Sequence, residues 1–322
     1  MSICKLTTQS NTLSEKCIVL ICNVFRINPE NIKNITRLSS GMTNHLIRFN
    51  VDSQTYLLRI PGEGSNELTS RRNEANIYTL LRGLGLTDEV IYISSEDGFK
   101  ITKYWKSARA CDSKCINDVT RCLHHLRKLH NMNLKVSHSF NIKEKIIKYE
   151  KLCDGYSFYN DYNEIKDKII RLLNLLNSLS FEKKLCHIDP VFDNFLFVDD
   201  EIYLIDWEYA GMSDPHIDIA MFCLYANYSK ESIDESINIY FNGIASEYNF
   251  AMVYGYIASA GFLWTIWSDY KMKLGINFDQ YAMKQYSYAK EYLIYTMQLM
   301  NKLNLTSRQS SFLKILNEVM NN

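Results

Sequence analysis

The sequence predicts an α+β protein in two lobes, a β-rich N-terminal one and a mainly helical C-terminal one. Three observations carry that expectation. Short alternating apolar runs separated by turn residues fill the first third of the chain. From Asp112 onward, apolar residues recur with a helical period almost throughout. One strand pair interrupts that helical half, residues 195–198 and 202–205 around the turn Asp199-Asp200.

Taken in order, 34–38, 45–51 and 55–60 read as strands, separated by Ser39-Ser40-Gly41 and Asp52-Ser53-Gln54. Residues 66–84 read as a helix, with Ile77, Leu80, Leu81 and Leu84 on one face and Gly83 and Gly85 near its end. Runs 90–94 and 99–104 return to strand. The break between lobes is expected at 104–112, dividing the chain into 1–105 and 106–322. Beyond it Val119, Cys122, Leu123, Leu126 and Leu129 keep a 3.6-residue period, and similar patterns fill 141–180, 230–270 and 279–321.

With 322 residues, 47% apolar and 22% charged, the chain can bury the cores of two lobes. Its 36 basic and 36 acidic residues cancel, so no basic surplus points to nucleic acid or an anionic membrane. The longest apolar stretch near the N-terminus, 17–25, is broken by Asn23. It is too short to span a bilayer and lacks the flanks of a signal peptide, so no membrane insertion is expected. Nine cysteines without paired spacing read as reduced thiols of the cytoplasm.

The chemistry concentrates in His187-Ile-Asp189-Pro-Val-Phe-Asp193-Asn194 and the following strand, which runs into Asp206-Trp-Glu208. A carboxylate and, five residues on, a carboxamide share one loop; a second carboxylate ends the next strand. Metal-assisted phosphoryl transfer needs this set. One acid orients a hydroxyl and takes its proton, and hard oxygens hold Mg²⁺ against phosphates. The spacing His187-x-Asp189-x(4)-Asn194 is that of the kinase catalytic loop, and Asp206 stands where the metal-binding acid follows. Alone the loop also reads as a surface turn with a helix cap; the strand–turn–strand frame behind it favours the chemistry. Ser40, Gly41, Met42, Thr43 and Asn44 lie between the first two strands, where a turn could lay backbone N–H groups over phosphates. With one glycine, the segment reads equally as an ordinary hairpin turn. Arg59 on the third strand and Glu74 on the next helix match the ion pair that fixes nucleotide phosphates. In isolation they read as a surface arginine and a solvated glutamate. Trp264 and Trp267, three apart, share one side of a helix, as core or as ligand contacts. Gly261, one turn earlier, leaves room beside them.

Together these residues resemble the choline kinase family, of bacterial type, within the aminoglycoside-phosphotransferase and protein-kinase-like superfamily. The resemblance runs from about Leu38 to Tyr295. It is carried by Gly41-Met-Thr-Asn44, Tyr56-Leu-Leu-Arg-Ile-Pro-Gly62, Arg71-Arg-Asn-Glu74-Ala75 and Leu129-His130. It continues through Cys186-His-Ile-Asp-Pro-Val-Phe-Asp-Asn-Phe-Leu196, Tyr203-Leu-Ile-Asp-Trp-Glu-Tyr-Ala-Gly-Met-Ser-Asp-Pro215, Asp218-Ile-Ala220 and Gly261-Phe-Leu-Trp-Thr-Ile-Trp267. It implies a bilobal protein-kinase-like fold, with 1–105 binding the nucleotide and 106–322 carrying catalysis and substrate. The implied activity is phosphorylation of the choline hydroxyl using ATP and Mg²⁺, by a cytoplasmic enzyme.

Carried over residue by residue, Asp189 is the base and Asn194 and Asp206 are the metal ligands. Ser40, Gly41, Met42, Thr43, Asn44, Arg59 and Glu74 meet ATP. Asp189, Tyr209, Tyr225, Trp264, Trp267 and Tyr281 meet the substrate, the aromatics as a cage for a trimethylammonium group. His187 and Asp218 brace the catalytic loop, and Glu208 either helps organise the metal site or ends the strand. Many choline kinases place a glutamate seven residues after the Asp218 equivalent; here that position is Tyr225. Ethanolamine therefore stays open as the acceptor. An aminoglycoside, a polycation, fits the few acids and many aromatics of 254–295 less well. A nucleotide-binding scaffold without turnover is disfavoured because Asp189, Asn194 and Asp206 are all present.

Overall fold

The computed structural model describes residues 13–38, 44–62, 64–155, 157–180 and 182–320. The chain forms two units, residues 1–109 with 198–208, and residues 110–197 with 209–322. The expected cut after residue 105 treats each lobe as one stretch. The first unit instead takes back a short segment from far along the chain, a tertiary choice that local periodicity does not encode.

The first unit opens with α1 (Glu15–Phe25), whose N-cap Ser14 accepts a hydrogen bond from the Cys17 N–H. The apolar stretch around Cys17 is thus a helix that the sequence reading left unassigned. Strands β1 (Ile32–Leu38), β2 (Asn44–Val51) and β3 (Gln54–Pro61) follow, then α2 (Ser65–Leu68) and α3 (Arg71–Leu81), then β4 (Val90–Ile93) and β5 (Lys100–Lys103). The strands make one antiparallel sheet in the order β1-β2-β3-β5-β4. Period-two alternation sorts its faces. Ile47, Phe49 and Val51 of β2 and Leu58 and Ile60 of β3 share a core with Cys17 and Ile21 of α1. Arg59, between Leu58 and Ile60, therefore projects from the opposite face, where its cross-strand neighbour is Lys100.

The single helix expected over 66–84 is two. Thr69 turns extended, and Ser70 caps α3 by accepting from the Asn73 N–H. Hydroxyl side chains that bond nearby backbone favour such breaks over helix interiors.

After β6 (Arg109–Ala110) come α4 (Ile116–Asn131), α5 (Ile142–Leu152) and α6 (Tyr162–Leu179). Then β7 (Lys184–Cys186), β8 (Phe195–Val198), β9 (Glu201–Leu204) and β10 (Gly211–Ser213) lead to α7 (His216–Tyr225). The chain closes with α8 (Lys230–Tyr240), α9 (Glu247–Lys273), α10 (Asp279–Met300) and α11 (Ser307–Met320). In the second unit β7 and β10 pair antiparallel, Cys186 opposite Gly211. At three residues each they are too short to leave a periodic signal, so the sequence reading missed them. The helical stretch expected over 230–270 divides at a capping box, with Ser246 and Asn249 exchanging side-chain to backbone bonds.

Helix α9 is apolar on all sides, with a window of mean hydropathy 1.3 that is 94% buried, so it is a core helix. It packs against α5, α6, α7 and α10. A Cβ on Gly261 would stand 2.6 Å from the Gln285 carbonyl oxygen and 3.0 Å from the Ala289 nitrogen, so glycine lets the two helix backbones touch. The room that the sequence reading gave to the tryptophans is filled by α10.

Candidate active site

The loop after β7 carries Asp189 in a strained frame. Ile188 has φ 71°, a left-handed conformation that a β-branched side chain strongly disfavours. Asp218, in the first turn of α7, holds it there. One carboxylate oxygen accepts the His187 backbone N–H at 2.8 Å and the other accepts the Ile188 N–H at 2.7 Å. Asp218 is fully buried and also meets Nε2 of His130 at 2.9 Å, while His130 Nδ1 meets the Tyr240 hydroxyl at 2.7 Å. The brace expected of Asp218 is present, and His187 takes part in it through its backbone. His130 and Tyr240 were not singled out for it; neither lies near the motif in sequence. His130, Cys186 and Asp218 place potential ligand atoms within 4.8 Å of one another, the spacing of a metal centre. Hydrogen bonds already engage Asp218 and His130, and burial pushes the Cys186 thiol well above its usual range, so the cluster acts as a brace.

The Asp189 carbonyl accepts the Val191 N–H at 2.8 Å and the Asn194 side-chain amide at 3.0 Å. That bond orients the Asn194 carboxamide and leaves its oxygen for a cation. The Tyr225 hydroxyl donates a hydrogen bond to the Asp189 carboxylate. Burial first, and then the Asp189 charge, push the Tyr225 and Tyr281 phenols well above their ordinary range, so both stay neutral donors. Around them the rings form a continuous cluster. Trp264 meets Tyr209 edge-on at 5.6 Å, Tyr225 at 6.0 Å and Trp267 at 6.1 Å; Trp267 meets Tyr281 at 6.4 Å. Phe278, which the sequence reading did not name, packs on Trp267 at 4.9 Å. Three of these residues come from α9 and α10, so the close contact at Gly261 also sets the ring spacing.

In the first unit, Arg59 and Glu74 form a two-pronged ion pair, with Nη1 to Oε1 at 2.6 Å and Nη2 to Oε2 at 2.7 Å. Both are buried, at 4% and 1% exposure, so the solvated-surface alternative is excluded. Arg59 Nη1 also reaches Asp206 Oδ1 at 2.9 Å, and Nη2 reaches the Gly98 carbonyl at 3.2 Å. Burial works against the charge on Arg59, but Glu74 and Asp206 outweigh it and hold the guanidinium protonated. Asp206 has φ 66°, and its N–H bonds the Tyr78 hydroxyl at 3.2 Å, on which Lys100 converges at 2.5 Å. Glu208 meets Arg71 at 3.1 Å, which makes it part of this charge network rather than only a strand end. Burial and the neighbouring Asp206 charge raise its pKa above the usual carboxylate range. The sequence suggested Arg59 and Glu74 through their elements; Arg71 stood in a segment of resemblance without a role, and Tyr78 and Lys100 carried no motif signal.

Asp206, whose side chain is 25% exposed, and the Asn194 oxygen are hard donors of the kind that suit Mg²⁺. Ser40, Gly41, Met42 and Thr43 lie outside the described residues. Asn44 opens β2, and its side-chain oxygen is buried without a hydrogen-bond partner among the described residues.

A family profile described as choline/ethanolamine kinase matches residues 35–254. The LicA protein of Haemophilus influenzae is 28% identical over 255 residues, which is 76% of this chain and 96% of that protein. The crystal structure of the choline kinase LicA from Streptococcus pneumoniae superposes with a TM-score of 0.75 at 27% identity, covering 87% of this chain and 99% of that one. A structure of LicA in complex with AMP matches with the same TM-score at 26% identity, over 88% and 98% of the two chains.

Proposed function

Because the chain belongs to the choline/ethanolamine kinase family, a family of small-molecule kinases that bind a nucleotide, we propose that it transfers the γ-phosphoryl group of ATP to the hydroxyl of choline. The single observation that carries the choice of choline is the surrounding of Asp189. The groups acting on Tyr225 there are Asp189, Tyr281 and Tyr209, with Trp264 and Trp267 beyond. Choline spreads its charge over methyl groups that cannot donate conventional hydrogen bonds, which suits π faces worth up to ~2 kcal/mol each when desolvated. Ethanolamine brings three N–H donors that rings satisfy poorly. The hydroxyl of Tyr225, already spent on Asp189, stands where many relatives offer a carboxylate.

In the proposed reaction Asp189 accepts a hydrogen bond from the choline hydroxyl and takes its proton as the bond to phosphorus forms. A carboxylate with a reference pKa of ~3.9 is too weak a base to deprotonate an alcohol beforehand. The acceleration must come from positioning and charge neutralisation. The Asp218–His130 brace fixes the backbone that presents Asp189. Glu74 holds the Arg59 fork in one orientation, ready to face phosphate oxygens. Asp206 and Asn194 are the residues that would hold Mg²⁺, and the ion would supply charge neutralisation at the transferring phosphate. The setting proposed is the cytoplasm, with a small-molecule acceptor and neither nucleic acid nor a membrane as partner. An ADP-coupled screen of choline, its partly methylated precursors, ethanolamine and kanamycin tests this reading. Choline should lead ethanolamine in kcat/KM by at least about tenfold, or ~1.4 kcal/mol; a lead for ethanolamine would replace choline as the acceptor.

A further inference from the structure

Asp269 is a buried acid that the proposed reaction does not use. It lies on α9 two residues beyond Trp267, and two residues turn a helix by about 200°, so it leaves the opposite side from that ring. It is 4% exposed, and neither carboxylate oxygen has a hydrogen-bond partner among the described residues. Native proteins rarely leave such a group unsatisfied.

Four donors in this region are committed elsewhere. Lys273 bonds Asp154 at 2.5 Å and the Leu152 carbonyl at 2.9 Å. The Cys153 thiol points to the Ile266 carbonyl at 3.6 Å. The Tyr162 hydroxyl donates to Glu150 at 2.8 Å, and the Tyr286 hydroxyl to Asp161 at 2.7 Å. Asp269 therefore meets no cation among the described residues, and burial pushes its pKa up to about 7.

Asp269 is one of the residues lining a cavity of about 340 Å³, with Cys153, Asp154, Phe158, Met272 and Lys273, and its carboxylate oxygens lie just beneath that wall. A thiol, a thioether and a phenyl ring are poor partners for a hard metal ion, which asks for several oxygens. They suit an alkyl chain. The Lys273–Asp154 pair is neutral as a unit, so the uncompensated charge of the cavity is that of Asp269.

We propose that Asp269 and this cavity form a second cation site, separate from the Asp189 cluster. It takes a primary alkylammonium ion whose N–H groups bond the Asp269 carboxylate and whose chain lies against Phe158 and Met272. The two sites differ in chemistry. Rings surround the Asp189 cluster, whereas unmatched acceptors at Asp269 call for N–H donors.

Binding a cation selects the ionised carboxylate, so affinity should rise with pH through about 7 and level off above. The thiol and phenols facing Asp269 stay protonated over that range. Burial holds Cys153 of the α5 cap and Tyr159 of the following loop near 12, and Tyr162 of α6 higher still. Glu150, Asp154 and Asp161 are paired with Lys166, Lys273 and Lys290.

Calorimetric titration of the full chain with n-butylammonium chloride tests the site. Wild type and Asp189→Asn should bind it alike, with about tenfold tighter binding at pH 8 than at pH 6, the change in ionised fraction of an acid titrating near 7. Asp269→Asn should weaken binding at least tenfold and flatten its pH dependence, while phosphotransfer kcat/KM stays within about twofold. Met272→Trp fills the cavity without touching the carboxylate and should also remove binding, which decides the matter if the Asp269 variant folds poorly. Absence of binding to wild type, or equal binding in wild type and Met272→Trp, would overturn the proposal. Neither result touches the kinase reading, which the acceptor screen judges separately.

Discussion

Asp189 and Arg59 show how packing and electrostatics would prepare single residues for the proposed phosphoryl transfer. Asp189 sits in a loop whose backbone is gripped at His187 and Ile188 by Asp218, so its carboxylate is positioned before any ligand arrives. Replacing Asp189 by Asn keeps the shape and one acceptor oxygen but removes the proposed base. Turnover should fall by roughly 10²–10⁴-fold with ATP binding retained, as steady-state kinetics and nucleotide titration will show. Arg59 is shared between Glu74 and Asp206 at 2.6 and 2.9 Å. Arg59→Ala should raise the ATP KM and lower kcat, and Glu74→Ala should give a weaker version of the same defect. Residues in one buried network couple by about 0.5–3 kcal/mol. The double variant should therefore fall well short of the sum of the two losses, and additive losses would mean the pair does not act as a unit. The acids themselves were readable from spacing. Tyr78 was not, and Arg71 and His130 entered only inside segments of resemblance without a role, because a residue joining a network from a distant element leaves no local pattern.

Among elements, α9 organises the second unit. Its glycine at 261 brings the α10 backbone close enough that a Cβ would stand 2.6 Å from the Gln285 oxygen. Gly261→Ala should force the helices apart and cost about 1–3 kcal/mol, the usual range for overpacking a core. A denaturation midpoint that did not fall would contradict this contact. The same face carries Trp264 and Trp267, which the sequence placed on one helix side but could not distinguish from ordinary core. Contact with Tyr209, Tyr225 and Tyr281 beside Asp189 is what supports the proposed cage. Trp264→Ala should erase most of the preference for choline over ethanolamine while leaving ATP affinity unchanged; a preserved preference in that variant would assign specificity elsewhere. Helix boundaries were the least legible feature. Ser70 and Ser246 each start a new helix where apolar periodicity runs on, because a hydroxyl cap decides the break and periodicity is blind to it.

At the scale of the molecule, the two units carry different parts of the proposed chemistry, Arg59, Glu74 and Asp206 in one and Asp189, Asn194 and the rings in the other. Titrating Mg²⁺ against both halves follows from this. Asp206→Ala should abolish metal-dependent turnover, since an anionic ligand is lost, and Asn194→Ala should raise the Mg²⁺ requirement more mildly, because water can replace a neutral oxygen. An unchanged Mg²⁺ dependence in either variant would remove that side chain from the metal site. The sequence by itself determined the fold class, and it singled out the loop and the acids on which the proposed reaction rests. Those features are local: alternation and helical period within one element, and spacing within a few residues. Only the tertiary structure decided that 198–208 joins the first unit, that Asp218 and His130 brace the strained Ile188, and that Tyr225 bonds Asp189. It also decided that Asp269 is buried with no hydrogen-bond partner among the described residues. Each of these depends on which distant side chains meet once the cores are packed, and burial sets the strength of those meetings as sequence spacing cannot.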